Sequence, residues 1–229
     1  MTLSQQRAIA KALPVIRRVY ARIKKEIHPG ISEREIAERI RQLLERDGFA
    51  RLSFPIIVAA GPHAYDLHHT PCSRKVRRGD MIVIDFGVRS DGWCTDTTRT
   101  FFVGKPSAYY ARRYHLVYSA CQKALHVVRT GALCSHVDAA ARTLLTVNGY
   151  GLAFRHTTGH GVGTRIHQKP RIGPNSRELL QKGSVVTIEP GIYVRGWGGI
   201  RIEDMIRVDA TAGTVLTARI PKDLRAMTI

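Results

Sequence analysis

A chain of 229 residues, 44% hydrophobic and 24% charged, has ordinary globular composition, enough for one large domain or two fused halves, and excludes disorder, collagen and coiled coil. No run approaches the ~18 uncharged apolar residues of a membrane span, and Met1 to Tyr20 carries charge throughout instead of a basic start, an apolar stretch and a cleavage site. The net charge of +18 is spread from Arg7 to Arg225 and is densest at Arg74, Lys75, Arg77 and Arg78. Without a basic tail or an aromatic-interleaved stripe, it reads as a solvated, arginine-rich surface rather than a dedicated nucleic-acid site. Only weak electrostatic association with the ribosome or nucleic acid is expected, and no membrane partner. Cys72, Cys94, Cys121 and Cys134 form no C-x-x-C pair, so a zinc knuckle, a redox motif and a disulfide framework are not suggested. A reducing cytoplasm fits best.

Helical spacing of Ala8, Ala12, Val15, Ile16, Val19 and Ile23 predicts a helix over residues 4 to 27, stopped at Pro29-Gly30. Ser32 and Glu35 then form a capping-box pattern ahead of Ile36, Ile40, Leu43 and Leu44, with Gly48 closing a second helix. From Met81 to Val103, an apolar run, Ser90-Asp91-Gly92 and a Thr- and Phe-rich stretch spell a β-hairpin. Helices follow at about 107 to 129 and, capped by Ser135, about 136 to 148. A second hairpin is expected from Ser184 to Val208.

The hairpins are an internal repeat. Gly79 through Gly87 (GDMIVIDFG) matches Gly183 through Gly191 (GSVVTIEPG) at a constant offset, which aligns Asp85 with Glu189. Each repeat follows a pair of helices, so the expected class is α+β, with two related helix-helix-hairpin halves folded around a shared antiparallel sheet.

Residues opposite each other in a hairpin are equidistant from its turn. Asp85 and Asp96 centre on Ser90-Asp91, and Glu189 and Glu203 centre on Gly196, so each pair of acids is expected at cross-strand contact. Taken singly, each acid is more often structural than catalytic; their matched spacing argues otherwise. Four opposed acids among Ile and Val would repel one another unless cations sit between them, which points to two divalent metals. His160, in His156-Thr-Thr-Gly-His160-Gly-Val-Gly163, could complete the set. Carboxylates with one imidazole suit manganese, iron, cobalt or zinc and resemble hydrolytic two-metal centres.

These motifs, together with IVAAG at 57 to 61, HHTP at 68 to 71, TDTTRTF at 95 to 101, HTTGHGVG at 156 to 163, TIEPGIY at 187 to 193 and GIRIED at 199 to 204, resemble the pita-bread metallopeptidases, the family of methionine aminopeptidases, Xaa-Pro aminopeptidases and Xaa-Pro dipeptidases. The resemblance spans about residues 10 to 209. It implies a pita-bread fold with Asp85, Asp96, His160, Glu189 and Glu203 as ligands of two divalent ions, manganese first, with cobalt, zinc or iron as alternatives. Asp96 and Glu203 would bridge both ions. It further implies Glu189 as general base, His68 and His167 as substrate-binding residues that steady the tetrahedral intermediate, and attack on the first peptide bond by a metal-bridging hydroxide.

Within that family IEPGIY, Arg201 and His156 resemble the Xaa-Pro branch, with His156 and Arg201 helping to place a proline-bearing substrate. Methionine aminopeptidases usually show a single histidine followed by Gly-Ile-Pro where HHTP stands here. Gln168 replaces the family's usual Glu after His167, and Leu67 stands where Xaa-Pro enzymes often have Pro. The chain is read as one catalytic domain, residues 1–229, with halves of about 1–104 and 105–229 and no additional N-terminal domain. Peptides with a free N-terminus are the expected substrates, and a homodimer is left open. A methionine aminopeptidase and a catalytically inactive binding module are the alternatives.

Overall fold

Apolar residues at helical spacing bury one face of α1, Leu3–Glu26, along Ala8, Ala12, Val15, Ile16, Val19 and Ile23. In α2, Glu33–Arg46, the Ser32 side chain accepts from Glu35 N while the Glu35 carboxylate accepts from Ser32 N, completing the capping box. The C-terminal pair is α3, Ala108–Val127, and α4, Cys134–Val147. Ser135 does not cap α4. The helix starts two residues earlier than expected, with Leu133 at the cap position, and no side chain is needed there because Cys134 N donates to Glu178 O at 2.9 Å.

The computed structural model describes residues 1–229. Its strands are β1 Ile57–Ala60, β2 Met81–Asp85, β3 Arg89–Ser90, β4 Trp93–Cys94, β5 Thr98–Phe102, β6 Gly159–Gly161, β7 Gln168–Ile172, β8 Val185–Ile188, β9 Gly191–Val194, β10 Gly198–Arg201, β11 Asp204–Val208 and β12 Gly213–Val215. All pair antiparallel, in ladders ordered β1-β2-β5, β3-β4, β9-β10 and β12-β11-β8-β6-β7. Strands β1, β6, β7 and β12 lie outside the two expected hairpins.

The repeat extends to the backbone hydrogen bonds. Gly30 N donates to Val76 O and Val76 N to Ile31 O; in the second half Gly131 N donates to Leu180 O and Leu180 N to Ala132 O. Helices α1 and α2 pack together, as do α3 and α4.

The two hairpins differ in register. In the second, Gly198 faces Val194 and Asp204 faces Ile188, so Glu189 and Glu203 are directly opposed, as the spacing predicts. In the first, Arg89 faces Cys94 and Asp85 faces Thr98, so Asp85 and Asp96 are not direct partners. The turn centres on Asp91-Gly92, both with positive φ (46° and 84°), one residue later than expected. A two-residue Asp-Gly loop with both residues left-handed matches the twist of the flanking strands, and that preference sets the register. Asp96 instead lies across from Gly87, where a Cβ would come within 1.8 Å of Thr95 O. Only glycine permits that approach.

Buried Arg99, on β5, ties the halves together. Its guanidinium donates to Asp204 Oδ1 at 2.9 Å and to the carbonyls of Thr98, Glu203, Ile220 and Pro221. Lys222 also bonds Asp204. Removing one partner of a buried ion pair leaves an uncompensated charge, so Asp204→Asn should lower unfolding free energy by about 3–5 kcal/mol in urea melts. A loss below about 1 kcal/mol would contradict this role.

Candidate metal centre

The ladders break where the acids stand. Asp85 closes β2, Asp96 lies between β4 and β5, Glu189 between β8 and β9, and Glu203 between β10 and β11, while His160 projects from β6. His160 Nε2 is 3.3 Å from Glu189 Oε1 and 3.6 Å from Asp96 Oδ2. The donor atoms of Asp96, His160 and Glu203 lie within 4.8 Å of one another. All five residues line one cavity of ≈ 860 Å³, together with His68, His156, His167 and Arg201. Every site residue picked out from the sequence thus faces the same space.

Hydroxyls and a guanidinium hold the acids in place. Thr98 Oγ1 donates to Glu203 Oε2 at 2.7 Å, Thr187 Oγ1 to Glu189 Oε1 at 3.0 Å, and Arg201 Nη2 to Asp85 Oδ2 at 2.7 Å. Arg201 Nη1 also donates to Tyr193 Oη at 3.0 Å, and that hydroxyl donates to His156 Nε2 at 3.0 Å. From α4, buried Asp138 accepts from Thr158 N and Oγ1, while Arg142 bonds Asp138 and the carbonyls of Phe154 and His156, fixing the strand entry that presents His160. Reading the sequence missed Thr98, Thr187, Tyr193, Asp138 and Arg142. The i,i+4 spacing of Asp138 and Arg142 was the available signal for that pair.

Burial, with repulsion from the neighbouring acids, raises Asp96 and Glu203 well above the usual carboxylate range. Burial also raises Asp85, against the pull of Arg201. Glu189 is lowered to about 2, the bond from His160 and its charge outweighing burial. Burial is likewise overcome at His160, whose pKa is raised by Glu189.

These groups fit a divalent cation. Buried Asp85 Oδ1 has no hydrogen-bond partner. His160 Nδ1 must donate to Gly161 O, at 3.1 Å, because a carbonyl only accepts; Nε2, which faces Glu189, is then the nitrogen that would exchange its proton for a cation. An ion among them would relieve the repulsion that burial enforces.

Residues 7–210 match the model of metallopeptidase family M24. The chain belongs to that family. As an M24 protein it is similar to the Xaa-Pro dipeptidase of Pyrococcus horikoshii, 34% identical over 91% of this chain and 60% of the relative. It superposes on the Xaa-Pro dipeptidase of Bacillus anthracis with a TM-score of 0.95 at 35% identity, covering 100% of this chain and 63% of that one. The X-Pro aminopeptidase of Thermotoga maritima gives a TM-score of 0.95 at 30% identity, covering 100% and 64%. The fold is therefore the pita-bread arrangement that the motifs imply. The chain spans about three-fifths of the length of these relatives. Membership of M24 implies divalent metal ions, and no helix is long and apolar enough to cross a membrane.

Adding manganese to chelator-stripped protein, at about a hundredfold above Kd, should raise Tm by about 5–10 °C. Glu203→Gln should lose most of that rise; an equal rise in wild type and variant would remove Glu203 from the ion's ligands.

Burial first, then Arg201 and Arg142, lower His156 to about 4, against the opposing pull of Glu189. Between its ordinary 6.5 and that value the unfolded chain binds a proton that the folded chain does not, so stability falls as pH falls. In chelator, taking wild type from pH 7 to about pH 5 should cost about 1–2 kcal/mol more than taking His156→Gln over the same range. Parallel curves in thermal melts would contradict a neutral buried imidazole.

Proposed function

We propose that the chain is a dinuclear metal-dependent exopeptidase that removes the N-terminal residue of peptides with proline in second position. The convergence of Asp85, Asp96, His160, Glu189 and Glu203 in one cavity with His68, His156 and His167 supports this reading most directly. The Xaa-Pro designations of the relatives favour proline-bearing substrates.

Asp85, Asp96, His160, Glu189 and Glu203 would hold the ions, with manganese the best match to an oxygen-rich set carrying one imidazole. Bound there, divalent ions supply Lewis-acid polarisation of a peptide carbonyl and lower the pKa of a water molecule. Glu189 takes the proton from the attacking water and passes it to the departing amine. The acidic floor attracts the free α-ammonium group of the substrate.

His167 sits edge-to-face against His160, ring centroids 4.5 Å apart, and burial lowers its pKa. It is therefore neutral near pH 7 and can offer an N–H to the carbonyl oxygen as that oxygen gains charge; His68 is the second such donor. Arg201, Tyr193 and His156 form one hydrogen-bonded wall that holds Asp85 and places the proline ring. The +18 charge supports weak, salt-sensitive association with a polyanion such as the ribosome or nucleic acid, in keeping with a cytoplasmic enzyme.

Manganese-loaded protein should release alanine from Ala-Pro-Ala and leave Met-Ala-Ser intact. Release of methionine instead would assign a methionine aminopeptidase, and no release from either peptide would favour a binding module. His167→Ala should lower kcat by about 10²–10³ without changing Tm.

A further inference from the structure

Outside the acid cluster, four donors of a different kind meet around the start of α2. Glu33 opens α2, His63 lies in the 3₁₀ turn Gly61–Tyr65, and His69 and Cys72 follow in the loop leading to β2. Their ligating atoms all lie within 4.8 Å of one another. Glu33 Oε1 is 3.0 Å from His63 Nδ1, and Glu33 Oε2 is 2.7 Å from His69 Nε2 and 3.2 Å from Cys72 Sγ; Cys72 Sγ is 3.9 Å from His63 Nδ1. A tetrahedral zinc ion, with bonds of about 2.0–2.3 Å, needs donors spaced by about 3.3–3.8 Å. Opening the 2.7 Å contact between Glu33 and His69 by about 0.6 Å, with rotation of the other side chains, whose donors lie within 4.8 Å of one another, would admit one.

We propose that Glu33, His63, His69 and Cys72 form a second metal site, specific for zinc and sharing no ligand with the acid cluster. Charge supports this. The Glu33 side chain is fully buried, yet its ion-pair partners are the two imidazoles, with no lysine or arginine among them. Zinc with a thiolate, a carboxylate and two neutral imidazoles is a neutral set. Binding sends the Cys72 proton to solvent.

Supporting bonds already surround the donors. Ala60 N donates to Glu33 Oε1 at 2.8 Å and Cys72 N to Glu33 Oε2 at 3.2 Å, while Arg74 N points at Cys72 Sγ at 3.4 Å. The His63 side chain is 37% exposed, which opens a route for the ion. Sulfur and imidazole favour zinc over manganese, the reverse of the acid cluster's preference, so the two sites would sort metals by softness. His69 adjoins His68 and lines the same cavity. Zinc would therefore pin the His68 loop to α2, a positioning role that rests on the peptidase reading, whereas the site itself does not.

The test uses the full, reduced chain, stripped with chelator and titrated with cobalt(II) as a spectroscopic substitute for zinc. The acid cluster contains no sulfur ligand, and Cys94, Cys121 and Cys134 are buried elsewhere, so a sulfur-to-cobalt charge-transfer band would report this cluster alone. The expected result is a band that rises to a plateau as cobalt is added, with cobalt in the acid cluster contributing nothing to it, and that is lost on adding zinc and in Cys72→Ser. His63→Ala should weaken cobalt affinity at least about tenfold. A wild-type chain without the band, or an undiminished band in Cys72→Ser, would overturn the proposal. Peptide cleavage is read separately: an intact band with no activity would sink the peptidase reading alone, and activity without the band would sink the zinc site alone.

Discussion

Repulsion among four carboxylates gathered at one cavity is the constraint around which the molecule is arranged. Asp85, Asp96 and Glu203 are 7%, 4% and 1% exposed, so water does little to screen them. Desolvating each ion costs several kcal/mol, and the fold offsets this with specific partners. Arg201 neutralises Asp85, and threonine hydroxyls cap Glu189 and Glu203. Arg99 lies behind the cluster, bonded to the carbonyl of Glu203 and the carboxylate of Asp204. What these partners leave uncompensated sits on Asp96 and Glu203, whose raised pKa values describe a site that holds either a proton or a cation. Stability and metal occupancy are thereby coupled.

The duplicated architecture explains how such a cluster can be built. Each half supplies one acid where a hairpin strand ends and a second where the returning strand resumes, and the face-to-face halves bring the two pairs together. The duplication is not exact. An Asp-Gly turn sets the first hairpin in a register that puts Asp96 across from Gly87, whereas Glu189 and Glu203 face each other directly. The first pair therefore converges through a tight strand approach at a glycine rather than through ladder pairing.

The cavity wall carries two kinds of donor within a few residues of each other. His68 faces the oxygen-rich cluster, and neighbouring His69 turns toward Glu33 and Cys72. One short loop thus connects a hard-donor site with a soft-donor one, and the rigidity of that loop bears on where His68 can reach.

Much of this was legible in the linear order of residues, because the signals were local. The helices followed from apolar spacing and the Ser32-Glu35 capping box, the acids from the aligned GDMIVIDFG and GSVVTIEPG segments, and His160 from its glycine-flanked motif. The Asp91-Gly92 turn was also written there, and its own preference, rather than the symmetry of the acids about it, set the register. Other features arose only when distant segments met. Leu133 took the cap position of α4 because Glu178 supplies the bond to Cys134. Arg99 became a clasp because Asp204 and the carbonyls of residues 220 and 221 close around it. Glu33 and Cys72 are 39 residues apart, a separation that matches no ligand spacing, and they touch because α2 is stacked on the strand and loop that follow it. Local chemistry determines elements and motifs, whereas burial and the pairing of remote groups are properties of the packed chain alone.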